Sequence, residues 1–229
     1  MKPAGETPRR LDSIDALRAA VMIVMALDHV RDFIHRDAMV FSPTDLRRTS
    51  AILFLTRWVT HFCAPVFLLL AGAGAFFWWH RRGSRAALSS FLLTRGVWLI
   101  LLEVTVMRFA YNFNFSTTPP VLLVILWVIG ACMVGLAALI WLPPVVLAVL
   151  SLGTILLHNL LDPIRAADVG PLWNILHQPG AFRVAGWTII VAYPAVPWIA
   201  VMAAGFCLAR VYLMEAAARR RILTLIGVT

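Results

Sequence analysis

Charge is scarce in this sequence. Only 14% of its 229 residues are charged, 61% are hydrophobic, and the mean hydropathy is +0.85. Those proportions exclude an ordinary soluble domain and make lipid the expected solvent. Lysine is nearly absent: Lys2 stands alone, and the rest of the +9 net charge comes from arginine. No stripe of basic and aromatic residues lies outside the apolar segments, which argues against a nucleic-acid partner. Cysteine is limited to Cys63, Cys132 and Cys207, far apart in apolar surroundings. An odd, scattered set gives neither a disulfide framework nor a metal-ligand spacing, so no metal site is expected. Internal repeats are missing too, and with them the paired interrupted helices of many secondary transporters.

What is present is a succession of apolar stretches near the ~20-residue length needed to cross a bilayer. They predict an all-α, polytopic transmembrane bundle in one domain spanning 1–229. Six spans are expected, over about 13–34, 51–79, 88–111, 120–142, 144–161 and 196–214, with the start of a seventh from Arg219. The Pro143-Pro144 pair forces a tight turn between the fourth and fifth. Residues 184–197 are apolar but broken by Pro194 and Pro197, and read as a partly inserted or interfacial segment.

Loop charges orient the bundle. Lys2, Arg9 and Arg10, the loop His80-Arg-Arg-Gly-Ser-Arg85 and Arg219–Arg221 fall on one side. The opposite side receives the uncharged 112–119 and the nearly balanced 162–183. Only the first outer loop, with Arg36, Arg47 and Arg48 against Asp37 and Asp45, weakens the contrast. Positive-inside asymmetry therefore places the N terminus in the cytoplasm. Trp78, Trp79, Trp141, Trp173 and Trp187 fit an aromatic belt at span ends.

Against this background the polar residues inside the spans stand out. A charge at bilayer depth costs at least ~2.5–3.5 kcal/mol, so such residues face a bundle interior or a wet cavity. The first span carries Arg18 and His29 eleven positions apart. At ~100° per residue they lie within ~20° of one face and ~16 Å apart along the axis. With the N terminus inside, His29, Asp28, Asp32, Arg57, His61, Glu103 and Arg108 fall in one outer slab, with Asn112 and Asn114 at its rim. His29 beside two carboxylates is equipped as a general base, its tautomer held by Asp28 or Asp32. Interhelical salt bridges are the alternative, above all Glu103 with Arg108 or Arg57. His61 divides evenly between site and packing. His35, His80, His158 and His177 read as interfacial or loop residues, the outer three of them able to line an acceptor entrance. On the inner side, Arg18 and Arg95 at helix ends and Arg81, Arg82 and Arg85 between them match the geometry of phosphate. The loop arginines serve equally as topology signals.

Three stretches resemble bacterial membrane proteins of the heparan-α-glucosaminide N-acetyltransferase catalytic-domain family. They are Arg10-Leu-Asp-Ser-Ile-Asp-Ala-Leu-Arg18 with Leu27-Asp-His-Val-Arg-Asp-Phe33, then Thr56-Arg-Trp-Val-Thr-His61 running on to Gly72, and Arg95 through Phe109. Similarity continues weakly through Tyr193–Trp198 and Gly205. An arginine followed eleven residues later by a histidine also resembles the first-helix motif of the wider membrane acyltransferase group. That resemblance implies acyl-coenzyme A at Arg18 and catalysis at His29. The chain departs from the family at Ala19, where glycine is usual. It has no histidine that aligns with the one the animal enzyme carries before its second helix. It also stops short of the later helices of longer members.

The reading that follows is a membrane acyltransferase. Acetyl-CoA is the expected co-substrate, docking at Arg18, Arg81, Arg82 and Arg95, and no cofactor is permanently bound. His29, Asp28, Asp32 and His61 carry the chemistry, while Arg57, Glu103, Arg108, Asn112 and Asn114 hold a sugar or other envelope acceptor. The partners are the lipid bilayer, the thioester and that glycan-like acceptor, with a second copy of the chain left open. The location is the bacterial inner membrane. A transporter or flippase, or a non-catalytic truncated membrane protein, is the competing reading.

Overall fold

A computed structural model describes residues 12–34 and 40–228. Lys2, Arg9, Arg10, His35, Arg36 and Asp37, used above for orientation and as candidates, lie outside them. The described chain is mostly helical and divides into two compact units, residues 1–70 and 71–229.

The first unit holds α1 (Asp12–Ile34), α2 (Ala51–Thr60) and the opening of α3 (Cys63–Arg82). The expected continuous second helix is interrupted at His61 and Phe62. Pro65 explains the break. It has no N–H and its ring would strike the carbonyl four residues back, so it fits the first turn of a new helix and not the middle of an old one. Ser50 caps α2 by accepting from the Leu53 amide at 3.3 Å. Cys63, buried, points its Sγ at the Val21 carbonyl of α1.

In the second unit, α3 ends at Gly83, whose φ of +75° suits glycine, and Ser84 caps α4 (Arg85–Leu102) through the Ala87 amide. The helical path widens into one π turn at Glu103–Met107 and closes as α5 (Arg108–Asn112). The fourth expected span starts later than its apolar run suggested. Pro119 and Pro120 are followed by extended chain, and Val121–Leu123 form strand β1 before α6 (Ile125–Leu139). Pro143 and Pro144 do open α7 (Pro144–Leu157), which tightens into a 3₁₀ turn at His158–Leu161. Two short helices follow, α8 (Ala166–Val169) and α9 (Leu172–Leu176).

The all-α expectation needs correcting here. The supposed interfacial segment supplies strand β3 (Trp187–Val191), and the residues just before it supply β2 (Gly180–Val184). Ala185 and Gly186, both with positive φ, make the two-residue turn that suits an antiparallel hairpin. Strand β3 also pairs in parallel with β1, Val121 opposite Ile189, giving the order β1-β3-β2. The β-branched run Thr188-Ile-Ile-Val191 favours extended chain, and pairing on both sides satisfies its backbone. The chain then continues through α10 (Ala195–Leu208) and a 3₁₀ turn to α11 (Ala216–Val228).

Helices α4 and α6 form the most extensive helix pair of this unit. A Cβ on Gly96 would stand 2.7 Å from the Gly130 carbonyl oxygen, and one on Gly130 would stand 2.6 Å from that of Gly96. Small residues at such a crossing let two backbones touch, the usual packing solution where lipid supplies no hydrophobic drive. Leu88 and Leu92 of α4, Val128, Cys132 and Leu136 of α6 and Met202 of α10 are the buried centre of this unit. Among the described residues, four stretches are long and apolar enough to cross a membrane: Ala51–Arg82, Arg85–Asn112, Pro144–Leu161 and Ala195–Leu213. Ile125–Leu139 is apolar but shorter. Helix α1 has the length, at 23 residues, but carries more charge than these.

Candidate functional site

The polar cluster of the first unit is built on Asp28. Arg31, one turn further along α1, places Nη2 2.6 Å from Asp28 Oδ1 and 2.7 Å from Asp32 Oδ1. Helix α2 supplies the other partners. Thr60 Oγ1 donates to Asp28 Oδ1 at 2.5 Å, and Arg57 Nη1 lies 3.4 Å from both Asp28 oxygens. Arg31 Nη1 also reaches Thr60 Oγ1 at 3.4 Å. Arg57 and Thr60 are three residues apart, as are Asp28 and Arg31, so each pair presents one face of its helix. Two carboxylates meet two guanidiniums, leaving the cluster without net charge. Arg31 is buried, while the Arg57 side chain keeps 31% of its surface exposed.

This geometry corrects the role given to the two carboxylates. They hold arginines and not the imidazole of His29, because a permanently charged guanidinium with five donors outcompetes a neutral ring for them. His29 is exposed and stacks on Phe33, ring centres 6.1 Å apart. His61 is exposed at the break between α2 and α3, its amide bonded to the Arg57 carbonyl. Arg31 and Thr60 were missed. Their signal was present in the spacing, since Arg31 stands three residues after Asp28 and Thr60 three after Arg57.

In the second unit Glu103 and Arg108 hydrogen-bond to backbone. Glu103 is buried and its Oε2 accepts from the Trp127 amide at 2.9 Å, so it caps the start of α6. A carboxylate there meets unpaired N–H groups and the positive end of the helix dipole. Arg108, buried as well, donates to the Ser116 and Pro119 carbonyls and lies 4.2 Å over the ring of Trp187. Among the described residues Glu103 is therefore not in a salt bridge with Arg108. Asn112 bonds back to the Arg108 carbonyl, and Asn114 orders the loop through the Ser116 amide and hydroxyl. Their polar groups shape the loop that precedes β1.

The inner arginines behave differently again. Arg18 meets Asp15 at 3.5 Å with both side chains about half exposed. Arg81 is exposed at the end of α3. Arg82 stacks over Trp78 at 4.8 Å, Arg85 over Trp79 at 5.5 Å and Arg95 over Phe91 at 4.8 Å. Trp78 and Phe91 stack on one another at 4.8 Å, so the α3–α4 turn is a ladder of rings with guanidiniums on it. Arg85 shares a narrow cavity with Arg210, Trp79 and Phe206, in which Arg210 Nε and the Trp79 indole nitrogen are buried without a partner. Arg210 was not foreseen, because it lies far along the chain from the other inner arginines. His80 stacks on Phe76.

The described residues thus include helices long and apolar enough to cross a membrane, with arginines and ion pairs set among them. The heparan-alpha-glucosaminide N-acetyltransferase catalytic family matches residues 10–227, and the chain belongs to that family. Membership points to a membrane acetyltransferase-type function. No curated protein and no solved structure matches the chain.

Proposed function

We propose that this protein transfers an acetyl group from cytosolic acetyl-CoA to a sugar or other envelope acceptor, within the inner membrane of a bacterium. The family match over residues 10–227 is the observation that carries this reading. Six spans, an N terminus in the cytoplasm and the positive-inside loops belong to the same proposal. The donor's phosphates dock at Arg18, Arg81, Arg82 and Arg95. Guanidiniums propped on Trp78 and Phe91 support that role, since stacked arginines keep their edges free for phosphate. The ~16 Å between Arg18 and His29 along one helix suits a pantetheine arm joining the docking end to the reaction centre.

At that centre His29 takes the proton from an acceptor hydroxyl or amine as it attacks the thioester carbonyl. The new C–O or C–N bond forms, the carbonyl oxygen becomes an oxyanion, and the C–S bond then breaks. The proton held by the imidazole passes to the departing thiolate. Arg57 stabilises the oxyanion, a task worth a few kcal/mol. Its partial exposure and its long contact to Asp28 leave donors for that purpose. Asp28 and Asp32 act as positioning residues by holding Arg31 and Arg57, and His61 is the second imidazole at the site. Glu103, Arg108, Asn112 and Asn114 frame the acceptor side.

The test is direct. Purified protein in lipid nanodiscs, given radiolabelled acetyl-CoA and a panel of amino sugars and polyols, is expected to label one acceptor class, and His29→Ala to abolish that labelling. Acetyl-CoA is expected to raise the thermal midpoint of both forms. Full turnover by His29→Ala refutes the base assignment, and absence of both labelling and thermal protection refutes the acyltransferase reading.

A further inference from the structure

The geometry points to a divalent cation site of the zinc class at His158, Asp162 and His177. His158 opens the 3₁₀ turn that ends α7, Asp162 follows it by one turn, and His177 closes α9. One donor atom from each residue lies within 4.8 Å of the others. His177 Nε2 and Asp162 Oδ1 are already 3.0 Å apart. Metal–nitrogen distances of ~2.0–2.1 Å and metal–oxygen distances of ~2.0–2.2 Å place tetrahedral donors about 3.3 Å from one another. The widest separation therefore has to close by roughly 1.5 Å, within reach of a side-chain rotation.

A second observation points to a ligand. The Nδ1 atoms of both histidines are buried with no hydrogen-bond partner, and the His177 side chain is only 4% exposed. His177 Nε2 is the atom that faces Asp162, and the unpaired Nδ1 of His158 is the second imidazole donor available to the cluster. An imidazole nitrogen buried without a partner beside this pair is costly for a protein to hold without a Lewis acid or another donor. Asp162 by contrast has a side chain 65% exposed, which gives a cation an entry path.

The surroundings hold the ligands in advance. The Trp173 ring lies 5.0 Å from that of His177, and its indole N–H donates to the Ile164 carbonyl at 2.9 Å. Gln178 Oε1 accepts from the Ala166 amide at 2.7 Å, and Asn174 Nδ2 donates to the Gln178 carbonyl at 3.1 Å. The segment between α7 and β2 is thus folded back so that its two ends, nineteen residues apart in sequence at His158 and His177, meet. Two neutral imidazoles and one carboxylate suit zinc and its first-row neighbours, and disfavour calcium and magnesium, which prefer all-oxygen sites. Three protein donors leave a fourth position for water or another ligand.

The experiment uses the full chain, made without a polyhistidine tag, stripped with chelator and dialysed against Zn²⁺ or Co²⁺ in detergent. The expected result is one metal per chain and a visible Co²⁺ absorption band of tetrahedral intensity. His177→Gln and Asp162→Asn should each weaken Zn²⁺ binding by 10- to 100-fold, while His80→Gln leaves it unchanged. A weak octahedral Co²⁺ spectrum, or affinity equal in all variants, overturns the site. The spectrum of the unaltered chain decides the matter even where a variant fails to fold. Since no acetyl donor is present, the outcome is independent of the acyltransferase reading.

Discussion

Asp28 and Glu103 are both carboxylates set into long apolar helices, and they are satisfied in opposite ways. Asp28 meets side chains: two guanidiniums and a hydroxyl. Glu103 meets the backbone at the start of α6. Side-chain partners can turn away and offer their hydrogen bonds to something else. Backbone partners cannot move without unwinding a helix. The first arrangement suits a site that must exchange partners during a reaction, and the second suits a fixed joint.

Four substitutions sharpen or break that contrast, from the largest expected effect to the smallest. Asp28→Asn leaves Asp32 as the one carboxylate described beside buried Arg31 and should cost about 3 kcal/mol, the scale of a broken buried ion pair. Chemical unfolding in detergent measures it. Adding Arg31→Met should recover part of the loss, and strict additivity would show that the two side chains do not act as a pair. Gly130→Ala, in the fixed region, should cost about 2 kcal/mol, because its methyl meets the Gly96 carbonyl and the helices must part. An unchanged melting temperature would argue against the close crossing. Glu103→Gln keeps an oxygen acceptor for Trp127 and loses only its charge at the helix terminus, about 1 kcal/mol. A loss as large as that of Asp28→Asn would erase the distinction between the two regions. Arg18→Ala removes an exposed contact worth under ~1 kcal/mol of stability, yet should weaken acetyl-CoA binding at least tenfold. Calorimetric titration separates those two effects.

Much of the fold was legible in the chain. Apolar length located four membrane-length stretches among the described residues, and Pro143-Pro144 located a turn, because these signals are local. The interruption after Thr60 was readable from Pro65 by the same kind of rule. The strands were not legible as strands. Val121–Leu123 is too short to show a period, and Trp187–Val191 reads as apolar whichever way it folds. Among the site residues, their placement within apolar helices was readable, and their partners were not. His29 next to Asp28 in sequence suggested a pair that Arg31 and Arg57 pre-empt.

By itself, then, the order of residues determined the apolar, membrane-length stretches, the positions of most helices and the family to which the chain belongs. Each depends on hydropathy and backbone restrictions acting over a few consecutive positions. Tertiary structure alone decided that Glu103 caps a helix 24 residues further on, that β1 finds β3 across the intervening helices, and that His158 meets His177. Those pairings come from closing long stretches of chain, where the winner among several chemically adequate partners is set by packing and no local pattern records it.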